Sequence, residues 1–148
     1  MATNKTTGCP FRVEDSPHFL LYALSREGVN RVNDALRERG LSYTQYIVLA
    51  ALSAEDNITV RELGDRLRLD SGTLSPLLKK LTDKGLTAKK RNEKDERRVK
   101  VSITEKGRSI VENAVGPAEE AGKAFATVFG QPVDVLFKRA LGEAVKNG

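Results

Sequence analysis

The stretch Leu69-Asp70-Ser71-Gly72-Thr73-Leu74-Ser75-Pro76-Leu77-Leu78-Lys79-Lys80-Leu81 decides the fold. Leu74, Leu77, Leu78 and Leu81 fall at i, i+3, i+4 and i+7, one apolar stripe of a helix. Asp70 is a ready N-cap and Gly85 supplies the stop. The other face carries Ser71, Thr73, Ser75, Lys79 and Lys80. Such a helix docks by its leucines and leaves short hydroxyls and ammonium groups outward. One α-helix fits the major groove of B-DNA, roughly 12 Å wide. The positive N-terminal end of a helix also favours phosphate.

The flanks extend this reading. Upstream, Thr59-Val60-Arg61-Glu62 is a capping box that opens a short helix with Val60, Leu63 and Leu67 on one face. Ser42-Tyr43-Thr44-Gln45 is a second capping box, before a helix through Tyr46, Ile47, Val48, Leu49 and Leu52. That helix is apolar nearly all round, so it is expected to be buried. Ser16-Pro17 reads as N-cap plus first helical position and predicts a long first helix over about 17–39, stopped by Gly40. Gly28 inside it costs about 1 kcal/mol against Ala and marks either close packing or a bend. Downstream, 86–91 and 99–103 are strand-like, and the charged segment 92–98 between them makes a hairpin. Thr104 caps a long helix to about Thr127; Gly130 breaks it, and Pro132 starts a last helix to about Val145. The fold class is mainly α with a small β-hairpin wing: a winged helix-turn-helix. The expected division is a flexible arm over 1–15, a helical region from 16–41 and 104–148, and the winged unit over 42–103.

Charge sharpens the functional reading. The chain has 148 residues and a net charge of +5. Residues 59–100 hold 13 Lys/Arg against 7 Asp/Glu, so the whole basic excess lies around the decisive helix and the hairpin. That pattern points to a polyanion-binding surface, though a solvated charged face is the plain alternative. None of the chain's 3 Tyr and 5 Phe lies in the basic stretch, which argues against stacking on single strands and favours duplex DNA gripped through phosphates. Arg97 and Arg98 near the hairpin tip suit a narrow minor groove. No apolar run approaches the roughly 20 residues of a membrane span, and the N-terminus has no apolar signal core, so the expected setting is cytoplasmic. One Cys and one His leave no zinc cluster and argue against a Ser–His–Asp hydrolase; no metal, cofactor or enzyme activity is expected.

Tyr43-Thr44-Gln45-Tyr46, the stretch 69–81, and Asp95-Glu96-Arg97-Arg98 followed by Ile103-Thr104-Glu105-Lys106-Gly107 resemble the MarR family of bacterial transcriptional regulators. The resemblance covers about residues 16–115 and is nearest to the organic-hydroperoxide-sensing OhrR-type branch. It implies a homodimer built from the first and last two helices, one winged helix per subunit, and repression of nearby genes. By the family pattern Ser71, Thr73, Ser75, Pro76 and Lys79 face the major groove, and Asp95 braces Arg97, whose side chain enters the minor groove. Lys80, towards the DNA backbone, and Arg91 and Arg98 complete the candidate DNA-binding residues. A two-fold dimer would read a pseudo-palindrome with half-sites about one helical turn, ~34–36 Å, apart.

The sensing end departs from that pattern. The branch places a reactive Cys just before a Phe-x-Leu-Tyr-Ala stretch. Here Phe19-Leu20-Leu21-Tyr22-Ala23 is preceded by His18, a thiol-holding tyrosine of the branch aligns with Val32, and the single thiol is Cys9. A free thiol has a pKa of about 8.5, so redox sensing at Cys9 would need help from Arg12 or His18; an inert arm thiol is the alternative. A small aromatic or phenolic ligand is the other candidate signal, with His18, Tyr22, Arg26, Tyr43 and Tyr46 as a possible pocket; those tyrosines could equally be core residues. A peroxidase role for Cys9 lacks a base and a means of regeneration. An architectural DNA binder without effector is the remaining class.

Overall fold

The computed structural model describes the backbone of residues 12–92, 95–126 and 133–146, and their side chains except at 91–98, 124–126, 133, 134, 145 and 146. The element order is α1 (Pro17–Leu36), α2 (Tyr43–Ala54), β1 (Ile58–Thr59), α3 (Val60–Leu67), α4 (Ser71–Asp83), β2 (Thr87–Asn92), β3 (Asp95–Ile103), α5 (Glu105–Ala126) and α6 (Val133–Lys146). This is the helix, short helix, helix, hairpin order expected.

The capping chemistry is as the sequence implies. Ser16 accepts from the Phe19 amide at the start of α1, and Pro17 follows it. Ser42 with Gln45, and Thr59 with Glu62, form both halves of their capping boxes. α1 runs unbroken through Gly28, ends at Leu36, and tightens into a 3-10 turn, Arg37–Arg39, before Gly40 takes the left-handed conformation at φ 65°. Residues 12–15 of the expected arm carry a short 3-10 turn, Val13–Asp15. The rest of that arm, and Thr127, Gly130 and Pro132, lie outside the described residues.

Two features differ from expectation. β1 is only two residues long, too short for an alternating pattern to reveal it. It pairs antiparallel with β3, Ile58 opposite Val101 and Thr59 opposite Lys100, giving the sheet order β1-β3-β2. Secondly, β3 begins at Asp95 and β2 ends at Asn92, so five of the seven residues of the charged segment expected to be loop are strand. Within it Asp95 pairs with Asn92 and 96–98 fall at the register shift between Arg91 and Asn92, so no apolar alternation marks residues 95–98 in the sequence.

The core lies between α2, α3, α4 and the inner face of the sheet. Leu49, Leu52, Leu63, Leu74, Leu78, Leu81, Leu86 and Val101 are all fully or almost fully buried. α5 closes one side with Val111, Ala114 and Ala118, and α1 reaches the core through Leu36. Gly107 makes this closure possible. A Cβ there would clash with the Leu86 carbonyl and come within 2.8 Å of Ile103 Cγ1.

A candidate nucleic-acid interface

α3 and α4 are joined by a three-residue turn. Arg68 adopts a left-handed backbone, φ 53°, and the Leu69 amide returns to the Gly64 carbonyl at 3.0 Å. Gly64 is needed here, since a Cβ would lie 2.9 Å from the Leu69 carbonyl oxygen, a backbone atom that cannot swing away. The turn therefore fixes the angle between the two helices through backbone contact.

Asp70 then caps α4. One carboxylate oxygen accepts the Thr73 amide and the other accepts the Thr73 hydroxyl, each at 2.9 Å. The Thr73 amide, followed by its hydroxyl, holds the Asp70 carboxyl below the usual aspartate range. Thr73 thus spends its proton on the cap and offers only lone pairs outward. Pro76 is the sixth residue of α4 and has no amide hydrogen, so the Gly72 carbonyl loses its usual helical donor. Ser71, Thr73, Ser75, Pro76, Lys79 and Lys80 are all exposed, while Leu74, Leu78 and Leu81 are buried behind them. Lys79 and Lys80 make no ion pair among the described residues, whereas on α3 Arg66 is paired with Glu55 at 3.0 Å. The outward face of α4 is a row of short polar groups followed by two lysines with no ion pair among the described residues.

The backbone of Arg91 lies on β2, opposite Val99, and Asp95, Arg97 and Arg98 lie on β3 at the far end of the hairpin. Their side chains are outside the described residues, as is the whole of Cys9. The root of the hairpin is braced. Asp56 accepts the Ile103 amide at 3.0 Å and the Asn57 amide at 2.8 Å, and pairs with Arg108 at 2.9 Å. Partial burial opposes the Asp56 charge, but the two amides and Arg108 outweigh it and keep the carboxyl below its ordinary value. Neither Asp56 nor Arg108 stands out in the sequence, because their 52-residue separation is closed only by the sheet.

The five suggested pocket residues do not share one site. Tyr22 and Arg26 meet on α1, with the guanidinium 5.6 Å from the ring centre. They line an open groove of about 260 Å³ with Phe19, Ala23, Glu27 and Asn30. His18 is exposed at the start of α1. Tyr43 and Tyr46 lie half-buried on α2 and do not line that groove. Burial, then Glu119 and Tyr43, raises the Tyr46 pKa. Among the described residues, no group of three or more His, Cys, Asp or Glu could hold a metal ion. No described helix is long and apolar enough to cross a membrane.

Residues 32–114, more than half of the chain, match the family described as Transcriptional regulator SarA/Rot. The chain belongs to that family. The match runs from the end of α1 into the first half of α5 and so contains the whole helix-turn-helix and hairpin. Over 92 residues the chain is 47% identical to the HTH-type transcriptional regulator SarZ of Staphylococcus epidermidis, covering 62% of each protein. The alignment thus spans less than two thirds of the curated relatives' length. A MarR transcriptional regulator from Methanosarcina mazei superposes with a TM-score of 0.70 at 29% identity, over 88% of this chain and 96% of that one. Reduced AbfR bound to DNA gives 0.73 at 26% identity, over 88% of each chain. The fold is the MarR-like winged helix, and the family is one of transcriptional regulators rather than enzymes.

Proposed function

We propose that this chain is a homodimeric, duplex-DNA-binding repressor working in the cytoplasm on a pseudo-palindromic operator. The observation that carries the reading is the exposed face of α4, hydroxyls first and then lysines with no ion pair among the described residues, beside a basic hairpin. Ser71, Thr73, Ser75 and Pro76 read base edges and Lys79 and Lys80 hold phosphates. Arg91, Arg97 and Arg98 work from the wing, with Asp95 orienting Arg97. That AbfR carries DNA on the same fold supports this assignment.

Dimerisation belongs to the first and last helices, residues 16–41 and 104–148. Leu20, Leu21 and Tyr22 on α1, and Val135, Leu136, Phe137 and Leu141 on α6, are exposed apolar side chains. A second copy covers them, and 42–103 is left free as the DNA-reading unit.

The signal is oxidation of Cys9, in the manner of the organic-hydroperoxide-sensing branch. The thiolate attacks the peroxide O–O bond, giving a sulfenic acid and an alcohol. A small thiol then condenses with it to a mixed disulfide, releasing water. Arg12 has less to offer that thiol than its sequence position implies, because it is paired with Glu14 at 2.9 Å. A second reading, release by a small aromatic anion, is favoured by the Tyr22–Arg26 groove.

The experiment is operator affinity on the gene's own upstream DNA, with and without an organic hydroperoxide, for wild type and Cys9→Ser. Release of wild type alone supports the redox reading. No release of either removes it and leaves the ligand groove to be tested.

A further inference from the structure

The outer face of the wing carries a feature that folding alone disfavours. Lys90 on β2 stands directly opposite Lys100 on β3. Directly opposed residues of an antiparallel pair project from the same face with Cβ atoms about 5 Å apart, and like charges there destabilise a sheet. The face is set by register. Thr87 opposite Ile103, and Lys89 opposite Val101, belong to the side that holds the buried Ile103 and Val101. Lys90 and Lys100, with Ala88 opposite Ser102, therefore belong to the other side. Lys90 is exposed and Lys100 half-buried.

Nothing among the described residues neutralises this pair. Neither lysine makes an ion pair or a side-chain hydrogen bond there, in contrast to Lys84 and Lys106 nearby. Lys84 donates to the Gly40 carbonyl at 2.9 Å and Lys106 to the Lys84 carbonyl at 3.0 Å, so both have structural partners. On the far side of Lys100, β1 presents Thr59, whose hydroxyl is already spent on Glu62 at 2.7 Å. The neighbouring row towards the root of the hairpin, Ala88 and Ser102, is small and uncharged.

We infer that Lys90 and Lys100 form a phosphate clamp on the outer face of the wing, a DNA-backbone contact separate from the α4 face and the hairpin tip. This rests on the DNA-binding reading and deepens it. Two ammonium groups held side by side, with no ion pair among the described residues, repel each other until a polyanion lies against them. The clamp carries no base information, because lysine meets phosphate as a point charge. It adds affinity and salt dependence, not specificity.

The test compares wild type, Lys90→Gln/Lys100→Gln, and a control that removes two positive charges before α1, Lys5→Gln/Arg12→Gln, outside both the dimerisation helices and the DNA-reading unit. Arg12 is exposed and paired with Glu14 and Asp15. Binding is measured by fluorescence anisotropy on the upstream duplex and on a random duplex of equal length, from low to moderate salt. Each phosphate contact contributes about 0.9 to the slope of log K against log salt, so the clamp variant should lose about two units per bound protomer. It should weaken on both duplexes by the same factor, and its melting temperature should stay level or rise as the repulsion is relieved. The control should keep the wild-type slope. An unchanged slope in the clamp variant overturns the inference, as does an equal loss in the control. Failure of the DNA reading looks different: wild type itself would not bind duplex.

Discussion

The segment from α2 to β3 and the pair α1/α6 bury their apolar residues in opposite ways. Among the described residues, all but one of the largest fully buried side chains lie between Val48 and Val101; the exception is Leu36. On α1 and α6, Leu21 is 59% exposed, Val135 58% and Phe137 44%. The first region is finished by its own chain, with capped helices, a glycine at each close approach and a braced hairpin. The second displays the kind of surface that a finished region hides. A helix pair with apolar residues outward is incomplete as a monomer, which fits a unit that reads DNA and a unit that joins two copies.

The largest expected effect comes from the finished region. Leu78→Ala empties a fully buried position and should cost about 3 kcal/mol, seen as a lower denaturation midpoint with both DNA binding and assembly impaired. Phe137→Glu should do the reverse. It should leave the monomer folded by circular dichroism and abolish the dimer in sedimentation; an unchanged dimer would remove α6 from the interface. Arg97→Ala should weaken operator binding about tenfold to a hundredfold with stability unchanged. Lys79→Ala should weaken it less, with a shallower salt slope; wild-type binding by Arg97→Ala would sink the wing assignment. The mildest effect is on the acid side. Asp56 and Asp70 have folded pKa values below their ordinary ones. Their stabilisation is therefore present above the unfolded value, about 3.9 for Asp, and is lost as pH falls through the folded values. Asp70→Asn should flatten that limb of an acid titration, and a limb unchanged in the variant would remove Asp70 as a contributor.

The finished region was also the legible one. Capping boxes at Ser42 and Thr59, the Asp70 cap and the leucine stripe of α4 are local signals, and each has the structure its residue types imply. What was not legible depends on distance along the chain. β1 exists because β3 lies beside it, and Asp95 is strand through its pairing with Asn92 rather than through any pattern. Gly64 could have been flagged as a glycine inside a short helix. Gly107 is explained only when the Leu86 carbonyl is seen against it. The tyrosines show the same limit. Tyr22 and Tyr43 look alike in sequence, yet one is exposed on α1 and the other half-buried on α2.

The central claim is that two copies of this chain present two α4 faces to one duplex. The most direct test is stoichiometric titration of the upstream duplex with anisotropy readout, repeated across a salt series and against a random duplex. The account predicts saturation at two chains per operator, preference for the operator at every salt concentration, and a steep loss of affinity as salt rises. Saturation by one chain, or equal affinity for the random duplex, would contradict it.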